Sequence, residues 1–491
     1  MSMSELDVLT ARVLQPNFDG PALPDWMRRR LADGLGSVIL FAPNIESPTQ
    51  LRALTDDIRA ENPDVFIAID EEGGDITRLE AETGSSFPGN LALGALDDVA
   101  LTEATARSIG ALVRAAGIDL DYAPVADVNT EPRNPVIGAR SFGSDPALVS
   151  RHVAAAVRGL QAAGVAACAK HFPGHGDTVV DSHFGLPTVT ASLAQLQRDT
   201  LPPFTAARDA GARAMMIAHL LMPEFDTEHP ASVSPAIISG LLRGELGFDG
   251  LAVSDGMGMA AVRERYGLAG GAVRALIAGI DVVCVDKDTK EEEMVEIASA
   301  IRAALRDGSL PEARLVEAAE RVAGFAAWRR EARDGWPDST GMAGGAADEV
   351  GDGLAAARRA VTVLRADDGA LPLTTPPHVV EAVLPRSFAA AVAELLPGTT
   401  SSGLADVTDA AGDGSVGDIP GDRPLVIAVR GIQRSPEDLD RVIRLVKEHP
   451  DAVVVDLGVA NLDVGGAAWI AGYGASRVCL RAAAEVLTGR Q

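Results

Sequence analysis

The sequence predicts an α/β protein, a (β/α)₈ TIM-type barrel followed by a smaller α/β three-layer sandwich domain. Three observations carry that prediction. Short apolar runs alternate with amphipathic helical stretches from the start to about Ala326, a Gly-, Asp-, Ala-, Ser- and Pro-rich stretch breaks the pattern at Glu331–Gly353, and a shorter alternation follows. The expected organisation is a barrel over residues 1–330, a linker over 331–353 and a sandwich over 354–491.

In chain order, the barrel strands are expected at Val13–Phe18, Ser37–Phe41, Val65–Ile69, Asp119–Ala123, Val165–Ala169, Ala214–Ala218, Gly250–Val253 and Asp281–Val285. Pro16 interrupts the first of them, because proline has no backbone donor. Helical stretches such as Ala104–Ala116, Leu148–Ala163 and Gly267–Ala278 lie between strands, and no fixed-period repeat accompanies the alternation. Beyond the linker, strands are expected at Val361–Leu364, Val379–Val380, Leu425–Val429 and Ala452–Leu457, with helices at Asp438–Lys447 and Arg477–Leu487. Ser401–Asp422, rich in Gly, Ser and Asp, reads as a long exposed loop. This C-terminal part holds no cluster of His, Lys and acidic residues, so its expected role is to stabilise the barrel or pack on it.

With 491 residues and 47% hydrophobic content, the chain can bury a large core in two domains. A formal net charge of −26 without Lys/Arg clusters argues against nucleic acid as a partner. Cys168, Cys284 and Cys479 are far apart and set in apolar runs, the pattern of buried free thiols in a reducing compartment. Met1 to Asp19 lacks the basic start and apolar stretch of a signal peptide, and no apolar run approaches the roughly 18 residues that span a bilayer. The expectation is a soluble cytoplasmic protein with no membrane partner; the oligomeric state stays open, with a monomer compatible.

The most informative segment is Lys170-His171-Phe172-Pro173-Gly174-His175-Gly176-Asp177-Thr178-Val179-Val180-Asp181-Ser182-His183, which packs three histidines, two aspartates and a lysine into fourteen positions. Glycine and proline exclude a helix, so it reads as a polar loop leaving the strand Val165–Ala169. Barrel enzymes keep their chemistry at that end of their strands. Asp70, Lys170-His171, His219 and Asp255 each follow an apolar run at once. A lone Asp there often caps a helix, but four strand ends doing this together point to one shared pocket. The loops Asp70–Arg78 and Asn134–Gly143 add Arg78 and Arg140. Acceptors and fixed donors around one mouth suit a polyhydroxylated ligand.

These residues resemble the family 3 glycoside hydrolases, in their β-N-acetylhexosaminidase branch. The pattern K-H-F-P-G-H-G-D-T-x-x-D-S-H-x-x-L-P is met through Leu186-Pro187, and the likeness includes Asp70 to Arg78, Asn134 to Gly143 and Val253-Ser254-Asp255, with the linker and second domain matching two-domain members. The resemblance implies a retaining exo-β-N-acetylglucosaminidase acting on small N-acetylglucosamine-containing glycosides such as muropeptides of cell-wall turnover, with no cofactor and no metal. It makes Asp255 the nucleophile and His183 the general acid/base with Asp181 as its partner, and it makes Asp70, Arg78, Arg140, Lys170 and His171 sugar contacts. The acetamido preference rests on the loop ending Asp181-Ser182-His183; a β-glucosidase of the family takes its acid from a Glu elsewhere. Two departures bear on the outer pocket and the aglycone: Asp75 stands where many members carry Arg, and Gly256-Met257-Gly258-Met259 follows the nucleophile where bulkier or polar residues are common.

The chemistry is coherent. A retaining glycosidase needs a carboxylate to attack the anomeric carbon and an acid to protonate the leaving oxygen. An imidazole that titrates near neutrality both gives and takes a proton, and a neighbouring carboxylate orients it. Gly174 and Gly176 are candidate hinges for the loop. His175 reads as structural, His219 as either a sugar contact or a brace for Lys170, Glu71 and Glu72 as solvated or capping residues, and Glu291-Glu292-Glu293 as a solvated helix face. The nearest rival is a β-N-acetylglucosaminide phosphorylase, since a neutral or positive His183 does not repel phosphate. A metal-dependent hydrolase built on His171, His175, His183 and His219 with Asp177 and Asp255 would place the Lys170 charge beside the ion, and no His-x-His or His-Glu-x-x-His spacing occurs. A binding protein that has lost catalysis would not need Asp255, Asp181 and His183 intact.

Overall fold

A computed structural model describes residues 3–182, 185–334, 346–382, 384–408 and 419–490. Two compact units emerge: Met1–Glu72, Thr102–Val128 and Ser144–Ala343 form the first, while Gly73–Leu101, Asn129–Gly143 and Gly344–Gln491 form the second. The loops that follow the third and fourth barrel strands therefore fold with the C-terminal part.

The first unit carries strands β1 (Leu14–Gln15), β2 (Ser37–Leu40), β3 (Phe66–Ile69), β4 (Leu120–Asp121), β5 (Ala166–Phe172), β6 (Ala214–Ile217), β7 (Leu251–Ser254) and β8 (Val283–Cys284). Strands β2 to β7 pair in sequence order, all parallel, and β1 pairs in parallel with β8. A parallel bridge between Val253 and Val282 joins β7 to the β8 segment, and Ile39 N donates to Pro16 O at 3.1 Å. Those links close the ring. Each of the eight expected strands is present, but β1 is cut to two residues at Pro16. The fifth runs longer than expected, through Phe172, so Lys170 and His171 are strand residues and not the start of the loop.

Every second residue along the strands points inward, so Phe66, Ala68, Leu120, Tyr122, Ala166, Cys168, Ala214, Met216, Leu251 and Val253 form one buried cluster. Phe325, from the helix Glu312–Asp334, packs edge-on against Phe66 with ring centroids 4.7 Å apart. Burial pushes the thiols of Cys168 and Cys284 well above the ordinary range, and all three cysteines are free and buried. The barrel helices start earlier than periodicity alone suggests, because caps extend them. Asp145 accepts from Ala147 N ahead of Pro146–Ala162. The helix Ala260–Ala278 breaks at Gly267, whose φ of +64° explains why the apolar pattern starts there.

The second unit contains a six-stranded sheet of β9 (Thr362–Ala366), β10 (His378–Ala382), β11 (Thr400–Gly403), β12 (Leu425–Val429), β13 (Val453–Asp456) and β14 (Ala468–Ala471), in the order β11-β10-β12-β13-β14-β9. Only β9, at one edge, is antiparallel to its neighbour. Val426 and Ala428 pack with the helices Phe388–Leu395 and Arg477–Thr488, whereas Leu425, Ile427 and Val429 pack with Leu404–Thr408 and Pro436–Glu448. That alternation makes three layers. The expected loop at Ser401–Asp422 is corrected in part: it begins as β11 and the helix Leu404–Thr408, and residues 409–418 lie outside the described residues. β11 is polar and gives no apolar signal; its backbone pairs with β10, and Thr400 and Ser402 hydroxyls bond the two ring nitrogens of His378, each at 2.8 Å. β14 lies outside the strands expected from the sequence. Helices occupy both ends of the 331–353 stretch, to Asp334 and from Ala346, and residues 335–345 lie outside the described residues.

Candidate active site

At the carboxyl ends of the barrel strands, the site is organised around a buried cation. Lys170, with a side chain only 3% exposed, places Nζ 2.7 Å from Asp70 Oδ1 and 2.7 Å from Glu72 Oε1. An ammonium that deep requires paired carboxylates, since desolvating it alone costs several kcal/mol. Strand β5 supplies the lysine, and the residues after β3 supply both acids. The expectation that Glu71 and Glu72 are solvated or capping is corrected: both are buried, and Glu72 is half of the lysine's counter-charge. Asp70 is the more exposed acid, at 17% against 3% for Glu72.

Behind this pair, Glu71 N donates to Asp121 Oδ1 at 2.9 Å. Burial pushes the Asp121 carboxyl well above the usual carboxylate range, and the charges of Glu71 and Asp70 push the same way. This favours a neutral acid within the cluster.

A second network joins β5 to the segment after β4. His171 Nδ1 lies 2.7 Å from Asp127 Oδ2, and Asp127 Oδ1 accepts from His175 N at 2.6 Å. Burial alone would raise the Asp127 carboxyl, but His171 and the N–H donors around it outweigh burial and hold it below the ordinary value. Asp127 is the functional residue that sequence reasoning missed. The one available signal was an aspartate ending the apolar run Tyr122–Ala126, which Pro124 disguises as irregular. With the Asp127 carboxylate on Nδ1, His171 has a fixed ring orientation.

His175 bonds the loop to itself, as expected: Nδ1 is 2.8 Å from Thr178 Oγ1 and Nε2 is 3.2 Å from Ser182 Oγ. Burial lowers its pKa, which favours the neutral ring. The same loop carries Asp181, whose carbonyl accepts from Gly185 N at 3.1 Å. His183 lies outside the described residues.

Asp255 directly follows β7. Its backbone N donates to Ile217 O of β6 at 3.0 Å, and its Oδ1 accepts from Gly256 N at 2.8 Å, so the residue is held through its backbone and one carboxylate oxygen. His219, fully buried, spans Ser232 Oγ at 2.7 Å and Gly256 O at 2.9 Å. Both of its ring nitrogens are thus engaged, and it fixes the turn beside Asp255.

Asp70, Glu72, Lys170, His171 and Asp127 thus form adjoining networks in the first unit, with His219 after β6 and Asp255 after β7, one and two strands from β5 in the same sheet. Arg78 and Arg140 belong to the second unit. There, Arg140 Nη1 donates to Val136 O at 3.1 Å and its carbonyl accepts from Asn90 Nδ2 at 2.7 Å. Among the described residues, no group of three or more His, Cys, Asp or Glu side chains is arranged to hold a metal ion.

The family model for the glycosyl hydrolase family 3 N-terminal domain matches residues 22–325. The chain belongs to glycosyl hydrolase family 3. Within the family it is similar to a β-hexosaminidase of Chromobacterium violaceum, 39% identical over 313 residues that cover 62% of this chain and 85% of that one. β-Hexosaminidase A of Pseudoalteromonas piscicida is 35% identical over 297 residues, which cover 54% of this chain but only 50% of the relative's length. A solved family 3 β-N-acetylglucosaminidase from Paenibacillus sp. str. FPU-7 superposes with a TM-score of 0.85 at 30% identity, covering 100% of this chain and 97% of that one. The barrel-plus-sandwich architecture is that of a family 3 glycoside hydrolase.

Proposed function

We propose that this chain is a retaining exo-β-N-acetylglucosaminidase that removes terminal N-acetylglucosamine from small glycosides such as muropeptides. Asp255 serves as nucleophile, and His183, oriented by Asp181, serves as acid/base. The observation that carries the reading is the anchored Asp255 carboxylate on the same barrel end as a buried Lys170 held by Asp70 and Glu72. The relatives named β-hexosaminidase and β-N-acetylglucosaminidase support the choice of sugar.

In this reading Asp70 accepts from a sugar hydroxyl, and Lys170 and His171 donate to sugar oxygens. Arg78 and Arg140 hold further sugar oxygens, and His219 keeps Gly256, and so Asp255, in place. Asp255 attacks the anomeric carbon while His183 gives its proton to the leaving oxygen; the glycosidic C–O bond breaks and a glycosyl ester forms. Water then attacks the same carbon from the leaving-group side. His183 takes its proton, Asp255 is released, and the β-configuration is retained.

The test is to incubate the purified protein with an aryl β-N-acetylglucosaminide and the matching β-glucoside, each with and without phosphate. Free N-acetylglucosamine from the acetamido substrate alone, independent of phosphate, is the expected result. A sugar 1-phosphate product would make the enzyme a phosphorylase, and preference for the glucoside would overturn the reading of the histidine loop.

A further inference from the structure

In a parallel sheet whose strand order reverses, ligands lie outside the carboxyl ends of the strands at the reversal. In the second unit that point falls between β10 and β12, which have β11 and β13 on their outer sides. Arg430 follows β12 at once and directs Nη2 to 2.5 Å and Nε to 2.8 Å from one oxygen of Asp75. The other oxygen of Asp75 accepts from Ala475 N at 2.7 Å, just ahead of Ser476, the N-cap of the helix Arg477–Thr488. A guanidinium and a free N–H at a helix start are what an anionic ligand would meet. Here the chain's own carboxylate takes both donors, one following β12 and the other following β14, with its side chain only 6% exposed.

A second anchor lies nearby in sequence. Arg434 Nη1 donates to Pro135 O at 3.3 Å, and a β-carbon on Gly138 would sit 2.1 Å from Arg434 Nη2. Gly138 has φ +49°, a backbone conformation that calls for glycine. Asp75 is three residues from Arg78, and Gly138 is two residues from Arg140.

We propose that Arg430 and Arg434 are positioning residues: their contacts with Asp75 and Pro135 hold the two arginine-bearing loops in their substrate-binding form. The proposal rests on the reading of Arg78 and Arg140 as sugar contacts. It gives the C-terminal part a role in affinity, and it accounts for the acid at position 75, which is the counter-charge of Arg430.

The test uses the full chain with Arg430→Gln, Asp75→Asn, the double variant and Arg430→Lys. Hydrogen exchange of residues 73–80 without ligand is measured alongside kcat and KM, on whichever aryl glycoside the wild type turns over. The expected result for Arg430→Gln is exchange about 10-fold faster and KM about 10-fold higher with kcat within about 3-fold, the pattern of lost binding rather than lost chemistry. The double variant, which leaves no unpaired buried charge, should match the singles instead of adding to them, and Arg430→Lys should fall between wild type and Gln. Unchanged exchange in Arg430→Gln and the double variant would overturn the anchor. Faster exchange with unchanged KM would overturn its link to substrate. A wrong choice of sugar would show in the wild type itself, and a wrong anchor only in the variants.

Discussion

The two parallel sheets of this chain present similar residues at their carboxyl ends and use them in opposite ways. At the barrel end, one ammonium faces two carboxylates, of which Asp70 is the more exposed. At the sandwich end, one guanidinium grips one carboxylate, whose second oxygen takes a backbone N–H, so the charges are consumed internally. An acid left partly exposed can meet a polar ligand, whereas one buried against a guanidinium and a backbone N–H makes a clasp. Residue type alone does not separate the two.

The comparison yields graded expectations. Asp255→Ala should lower kcat on the order of 10⁵-fold with the fold retained, as checked by single-turnover assays and an unchanged melting curve; substantial residual turnover would mean the barrel end is not the reacting one. Lys170→Met leaves Asp70 and Glu72 without their buried counter-charge and should cost about 3–5 kcal/mol of stability or binding, read by denaturant titration and inhibitor affinity. A loss no larger than that of Arg430→Gln would erase the distinction between site and clasp.

His183→Ala should slow alkyl glycosides by roughly 10²–10⁴-fold and activated aryl glycosides far less, because a good leaving group needs no proton. Equal losses would remove the acid role. Asp181→Asn should cost less than His183→Ala, since it alters orientation and charge without deleting the proton carrier.

The smallest effect belongs to the sandwich. Burial raises the Asp456 carboxyl from 3.8 to about 6, against the Gly458 N–H and the charge of Arg430. The folded state therefore holds a proton that the unfolded chain has lost between those values, and stability falls as pH rises through that window. Asp456→Asn should match wild type near pH 4 and exceed it by up to about 3 kcal/mol above pH 6, measured by urea unfolding across pH. A constant difference at every pH would show that packing, not the proton, sets it.

Much of the architecture was legible because its signals are local. Short β-rich runs located all eight barrel strands, and the polar residues at four of the strand ends located Asp70, Lys170, His171, His219 and Asp255. What was not legible depends on distant partners. Glu72 looks like a surface acid until Lys170, 98 positions away, is placed over it. Asp127 gains meaning only from His171, 44 positions on. β11 has no hydrophobic pattern and exists because β10 offers an open edge.

The sequence by itself determined the family, the alternation of strands and helices, and the residues at the strand ends, because burial periodicity and a dense polar motif are written in neighbouring positions. Tertiary structure alone decided which charges meet. The 355 positions between Asp75 and Arg430 are closed by folding, and only then does a departure from the family pattern become one half of an ion pair. A charge in a chain states what it can bind; burial beside a particular partner states what it does bind.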